Sequence, residues 1–440
     1  MITVQRAFLG MFEDVYRLLL GMDGLVEEEK AAELHRTIVA RRLDPTWSSG
    51  EAHESRARPL ARLARLARRA IGRARSVLRM RAGQRVKTLA LRCLAPALEP
   101  IYGGVGSIAL FHRVVMRRAG ERVGFAHQGE SSVAELEATI ALFLSRGYAF
   151  VSLDELCAEL GKPRRRGAPR LAALTFDDGY RDNHDVAYPL LASRGIPFAV
   201  YVSTSFPDRA HVPWWYLLEE HLLGRSSFAL EHGGRAFEWR LDSPAERRAA
   251  FAGTEAVLNA LAPGDVRVLC ERTFGKAQVE LAIDSLFLTW EMIRAMDASG
   301  RVTIGAHTID HVALPGLSLA AARAQIAGSK RRIEAEVGRE VRHFAYPFGR
   351  LGPRERDLVR EAGFVSATTA CLANLVPEHA NHLLTLPRLH AETAGTSESG
   401  DLSTYRDWLS LQIRGALPAL ANRGRRVVTF GACSAASRPR

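Results

Sequence analysis

The chain has 440 residues, of which 47% are hydrophobic and 25% charged, and a formal net charge of +12. This is the balance of a soluble globular protein, long enough for more than one average domain and a sizeable core. Its five cysteines are scattered without CxxC spacing, which argues against a disulfide framework or zinc knuckle and fits a reducing compartment.

Residues 1–54 read as a helical N-terminal extension and linker. Phe8, Phe12, Val15, Tyr16 and Leu19 recur at helical spacing, and Asp44-Pro45 and Ser48-Ser49-Gly50 break the pattern. Glu13, Asp14 and Arg17 interrupt the early apolar pieces, so no signal-peptide core forms there. No apolar run approaches the roughly 20 residues that span a bilayer. A cytoplasmic location, or one peripheral to the inner membrane surface, is the expectation.

Residues 55–100 form a basic amphipathic helical segment. From Arg56 to Arg92 no acidic residue interrupts the arginines, while Leu60, Leu63, Ala67, Ala70, Ile71, Ala74, Val77 and Leu78 fall near one face. Such a helix either meets an anionic membrane surface through residues 56–92 or packs as a solvated helix. It contains no aromatic residue, so nucleic-acid binding by base stacking has no support.

Residues 101–396 alternate strand-like and helix-like segments. Strands are expected at 107–115, 148–152, 171–177, 197–202, 301–304, 341–346, 364–368 and 383–389, with helices at 133–146, 186–194, 290–298, 320–337 and 354–362. Repeated βα units of this length indicate a parallel sheet or barrel with active residues at the carboxyl ends of strands. The pattern breaks at about 205–286, an insertion with helix-like pieces at 214–223 and 246–261 and a Gly233-Gly234 turn. Its Trp214, Trp215 and Tyr216 either stack on sugar rings or pack the insertion onto the core. Residues 397–440 read as a C-terminal tail.

The most informative stretch is LAALTFDDG, 171–179, an apolar run that ends in adjacent carboxylates, Asp177 and Asp178. Two aspartates aimed at one pocket repel each other unless a cation or proton lies between them. A second stretch, IGAHTIDH at 304–311, places His307 and His311 four residues apart after a short strand. A helical turn or tight loop there would bring both imidazoles to one side. Two histidines and one aspartate make a three-ligand centre with an open position, the arrangement of catalytic rather than structural sites. Zn²⁺, Co²⁺ and other divalent ions all accept that set.

These stretches resemble the NodB-homology polysaccharide deacetylases, carbohydrate esterase family 4. The resemblance runs over about 107–390 and includes LFHRV at 110–114, DDGYRDN at 177–183, RGIPFAVYV at 194–202, LTWEMI at 288–293 and FAYPFG at 344–349. It implies an α/β fold, a distorted (β/α) barrel, carrying here an inserted helical segment and an N-terminal helical extension. It also implies one divalent metal ion, Zn²⁺ first, and removal of acetyl groups from an N-acetylated glycan.

Carried over residue by residue, the resemblance makes Asp178, His307 and His311 the metal ligands and Asp177 the general base, a role that a neutral-pH carboxylate can fill. The backbone N–H of Phe348 is the implied oxyanion donor. The family's LxxH proton donor corresponds only loosely to LPRLH at 386–390, which makes His390 a candidate that a one-residue slip would turn away. Where many members have an arginine, this chain has Ala345, and Arg388 is the expected substitute holding Asp177. Tyr346, Pro347, His112 and Trp214 are the candidate substrate-contacting residues.

The expected function is therefore deacetylation of an amino-sugar oligomer or polysaccharide of the chitooligosaccharide or exopolysaccharide kind. Two rivals are a metal-dependent amidase acting on a small non-sugar amide and a carbohydrate-binding homologue without catalysis.

Overall fold

The structure is a computed structural model that describes residues 84–116, 122–124, 129–165, 167–261, 263–392 and 402–432. The expected extension at 1–54 and the basic segment as far as residue 83 lie outside the described residues. Among those described, no helix is long and apolar enough to cross a membrane. Cys93, Cys157 and Cys270 are free thiols, whereas Cys371 is disulfide-bonded, which the scattered spacing did not anticipate.

Seven parallel strands close into a barrel. In order around it they are β1 (Gly106–Phe111), β12 (Leu386–His390), β11 (Ser366–Leu372), β10 (His343–Ala345), β9 (Val302–Ala306), β6 (Phe198–Val202) and β5 (Arg170–Phe176), and β5 pairs back onto β1. Closure is made by six register pairs from Gly106↔Leu171 to Phe111↔Phe176. A short strand, β4 (Tyr148–Phe150), pairs with the first residues of β5, beside which β6 takes the rest. Two further short strands, β2 (Arg113–Val115) and β3 (Glu130–Ser132), pair with each other outside the barrel.

Strand periodicity decides which residues reach the lumen. Ala172, Leu174 and Phe176 of β5 belong to the outer core with Phe198, Val200, Ile304, Phe344 and Leu389. Leu171 and Ala173 face the other way with Ile108, Ala199, Tyr201, Ala345 and Leu386. Side chains alternate faces at every residue, so Thr175 and Asp177, Gly305 and His307, and Arg388 and His390 continue the inner face to the carboxyl mouth. The outer face is covered by helices, including α2 (Val133–Ser145), α9 (Trp290–Ala298), α10 (Leu319–Val337) and α11 (Pro353–Glu361). Helix α2 starts on a Ser132/Glu135 capping box, which satisfies amide groups that the first turn leaves unpaired.

The insertion has its own apolar core. It consists of α5 (Trp214–Leu223), an antiparallel hairpin of β7 (Ser227–His232) and β8 (Arg235–Arg240) turning on the two glycines, and α6 (Pro244–Leu258), α7 (Pro263–Phe274) and α8 (Lys276–Leu286). Both of its ends are tied to the segment after the two aspartates. Ser203 N–H donates to the Asp178 carbonyl on entry, and Leu288 N–H to the Gly179 carbonyl on exit.

The stretch expected to be a tail instead contains α12 (Leu402–Ile413), which belongs to the same compact unit as the barrel. Tyr405, Leu409 and Ile413 supply an apolar face to the outer core, and the Tyr405 hydroxyl pairs with Thr139 Oγ1 at 2.6 Å. Its Gln412 accepts from His390 N–H at 2.9 Å and donates to the His390 carbonyl at 3.1 Å, pinning the end of β12. A second unit includes residues 84–103 and 414–426. It contains α1 (Gln84–Tyr102) and α13 (Ala416–Ala421), joined by the Tyr102 hydroxyl donating to the Gly424 carbonyl at 2.9 Å and by an Arg414–Glu99 ion pair at 2.8 Å.

Candidate active site

The polar centre lies where β5, β9 and β12 end. Asp177 is the last inner-face residue of the β5 register, anchored by its N–H to the Phe111 carbonyl at 2.9 Å. The backbone then turns sharply: Asp178 has φ 75° and Gly179 φ 90°. Left-handed backbone is costly for a residue with a Cβ, so Asp178 is held against its preference while glycine absorbs the rest of the turn. The turn aims both carboxylates at the mouth.

Arg388 grips Asp177 with both arms of its guanidinium, Nη1 to Oδ1 at 2.6 Å and Nη2 to Oδ2 at 2.7 Å. The same guanidinium donates to the Thr369 carbonyl at 2.9 Å and to Thr175 Oγ1 at 3.2 Å. Arg388 is 1% exposed, so this bidentate pair is screened from water. Burial works against the Asp177 anion, but the charge and hydrogen bonds of Arg388 hold its pKa below the ordinary 3.8. Burial likewise opposes charge on Asp178, and the facing His311 and His112 hold it well below that value.

His307 and His311 meet Asp178 through a tight loop rather than a helical turn. Thr308 and His311 both take positive φ, 67° and 53°. Gln325 of α10 holds the loop: its Oε1 accepts from the N–H groups of Ile309 and Asp310, each at 3.0 Å, and its Nε2 donates to Asp310 Oδ2 at 2.6 Å. His311 Nε2 and His307 Nε2 lie 3.2 and 3.4 Å from Asp178 Oδ1.

This set fits a divalent cation. His307 Nδ1 donates to the Ala345 carbonyl at 2.8 Å, which leaves Nε2 as a lone pair facing the carboxylate. Asp178 Oδ1 is buried and accepts no hydrogen bond among the described residues. The three ligand atoms lie within 4.8 Å of one another. Acceptors facing acceptors in a buried site repel, and a cation among them reverses the sign.

Phe348 completes this side. It sits at φ 58° in the turn after β10, with its ring 4.7 Å from that of His311 and 46% exposed. Gly349 beside it has φ 63°, and a Cβ there would come within 2.5 Å of Ala370. The four positive-φ positions Asp178, Thr308, His311 and Phe348 thus cluster at one site, as strained backbone tends to at functional centres.

His390, the expected proton donor, and His112, an expected substrate contact, differ in their surroundings. His112, just past β1, pairs through Nδ1 with Glu392 Oε2 at 2.8 Å. Burial opposes its charge, but Glu392, with Asp178 and Asp177 nearby, pushes its pKa up to about 10. His390 keeps the inner face, two residues after Arg388, so the feared slip does not turn it away. Its Nε2 lies 2.9 Å from the Ala370 carbonyl, and burial lowers its pKa. Glu392→Gln is expected to bring the His112 pKa down toward its ordinary 6.5 in metal-free protein, read by NMR titration. Since the folded value is the raised one, this pair stabilises the fold fully below pH 6.5 and loses that contribution as pH rises through about 10.

Three expected substrate contacts are corrected. Tyr346 is fully buried: alternation along β10 sends it with Phe344 into the outer core, where its hydroxyl donates to the Leu384 carbonyl at 3.1 Å. Pro347 beside it is buried as well. Trp214 is 7% exposed and packs on Phe251 inside the insertion's own core, the packing alternative rather than a sugar platform. Sequence reasoning missed Glu392, Gln325 and His211. Only Glu392 left a local signal, lying two residues beyond His390 on the same strand parity.

These features define a class, a (β/α) barrel with a hydrolase-type polar centre at its carboxyl mouth. The polysaccharide deacetylase family model matches residues 164–367 of the chain, in agreement with the resemblance carried by the sequence motifs. Solved structures similar to it include a deacetylase, PplD, from Streptococcus pyogenes, at 16% identity over 68% of this chain and 97% of that one, with TM-score 0.43. IcaB from Ammonifex degensii is similar at 19% identity over 70% and 98%, with TM-score 0.42. The BpsB deacetylase domain from Bordetella bronchiseptica is similar at 16% identity over 66% and 96%, with TM-score 0.38. No curated protein matches the chain.

Proposed function

We propose that the protein is a metal-dependent N-deacetylase that hydrolyses acetyl groups from an N-acetylated amino-sugar oligomer or polysaccharide. The observation that carries this reading is the arginine-held Asp177 beside the Asp178, His307 and His311 cluster. A divalent ion held by those three residues, Zn²⁺ first, would supply Lewis acidity and an acidified water. Asp177, kept ionised by Arg388, takes the proton from the attacking water. The Phe348 N–H is the backbone donor assigned to the acetyl oxygen as charge develops there. His112, a cation at neutral pH through its Glu392 partner, delivers a proton to the departing amine. His390, with its lowered pKa and its Nε2 against the Ala370 carbonyl, is the less suited donor.

Acetate release from N-acetylglucosamine oligomers, compared with a panel of small non-sugar acetamides, tests the substrate class. Release from the oligomers at higher kcat/KM supports the reading. Preference for the small amides would replace it with the amidase alternative, and oligomer binding without acetate release would replace it with a binding protein.

A further inference from the structure

The loop leaving β6 for the insertion is stitched to the loops that carry the metal-ligand cluster. Ser203 N–H donates to the Asp178 carbonyl at 3.2 Å, Thr204 N–H to Thr308 at 3.2 Å, and Ser205 N–H to Ile309 at 2.9 Å. The far end of the loop returns to the same point: Ala210 and His211 N–H donate to the Ser205 carbonyl at 2.8 and 3.1 Å. The backbone of His211 is thereby fixed one hydrogen bond from a residue tied to the His307–His311 loop.

Its imidazole lies against an aromatic wall, with ring centroids 4.7 Å from Phe206, 5.6 Å from Trp215 and 6.2 Å from Phe287. Phe206 in turn lies 6.4 Å from the His311 ring. Within that wall His211 Nε2 is buried and has no hydrogen-bond partner among the described residues. Asp178 Oδ1, Ser205 Oγ and Thr308 Oγ1, on the loops joined to it, are buried and unpartnered too. An unsatisfied buried polar atom costs about 1–3 kcal/mol. A cation accounts for the Asp178 oxygen, but not for a nitrogen outside the ligand cluster.

We propose that His211 is a substrate-binding residue, its Nε2 hydrogen-bonding a hydroxyl or amide group of the N-acetylated sugar whose acetyl group enters the centre. This assignment rests on the deacetylase reading. A neutral imidazole suits the task, since it offers an N–H or a lone pair without adding a further cation beside the metal ligands. Burial, with His311 acting in the same direction, lowers its pKa to about 4 and keeps it in that form near neutral pH. The place also explains what the insertion does for the site: it supplies a polar group framed by rings, and aromatic faces cover the apolar faces of sugars.

The test uses the zinc-loaded full chain with His211→Leu and His211→Asn, and the N-acetylglucosamine tetramer as probe. A single neutral hydrogen bond corresponds to a change of about fivefold to tenfold. The expected result for His211→Leu is a KM for the tetramer raised by about that factor, a smaller fall in kcat, and unchanged zinc affinity and thermal midpoint. His211→Asn, which keeps a side-chain N–H, should recover part of the loss. In an Asp177→Asn background, the tetramer dissociation constant by calorimetry should rise by the same factor when His211→Leu is added. Normal wild-type turnover with unaltered KM and kcat in His211→Leu overturns the assignment alone. A loss of activity that tracks a loss of zinc affinity or thermal midpoint overturns it too, making His211 a packing residue. A wild-type protein that releases no acetate from the tetramer overturns the deacetylase reading, and this assignment with it.

Discussion

Asp177→Asn should keep its metal and lose turnover. The substitution preserves size and a hydrogen bond to Arg388 but removes the carboxylate that Arg388 holds beside the ligand cluster. A positioned base contributes about 10²–10⁴-fold to rate, so kcat should fall by that order with zinc bound at wild-type stoichiometry. Asp178→Asn provides the contrast, because its Oδ1 faces both histidines and its loss should remove the metal itself. Equal metal loss in the two variants would contradict this division of roles.

Arg388→Met should be the most destabilising single change at the site. It leaves the Asp177 carboxylate buried without its guanidinium, and breaking a buried pair on one side costs about 3–5 kcal/mol. The pH dependence should reverse as well. In the wild type Asp177 has a depressed pKa, so its contribution is present above the ordinary 3.8 and is lost as pH falls through the folded value. In Arg388→Met burial, the largest influence on Asp177, is no longer offset by the guanidinium and only His307 and His112 oppose it, so that pKa should rise and lowering pH from 7 toward 5 should recover stability in this variant. Urea midpoints at the two pH values check the sign. Adding Asp177→Leu should restore much of the loss, since an apolar pair of similar volume is often tolerated where a lone charge is not.

The chemistry was legible in the sequence because it sits at strand ends. An apolar run ending in Asp177-Asp178 and a short strand ending in His307 state their own placement, since alternation and a parallel barrel together carry those side chains to the mouth. Arg388 was legible only through the family resemblance, because this chain has Ala345 where many members have an arginine. The helix at 402–413 was read as tail because its apolar face becomes meaningful only against α2, far away in sequence. Tyr346 was misjudged for a related reason: being in a motif says nothing about parity, and parity sends it outward. His211 gave no signal, because its place depends on a loop folded back onto Ser205 and on aromatic residues from both ends of the insertion.

The central claim is hydrolysis of an N-acetyl group at the Asp178, His307 and His311 centre. Its most direct test is acetate released from the N-acetylglucosamine tetramer by the full chain after chelation and again after reloading with one equivalent of Zn²⁺. The expected result is no release from the chelated protein and recovered release on reloading, with no recovery in His307→Ala or His311→Ala. Release that persists after chelation, or that returns in either histidine variant, would contradict it.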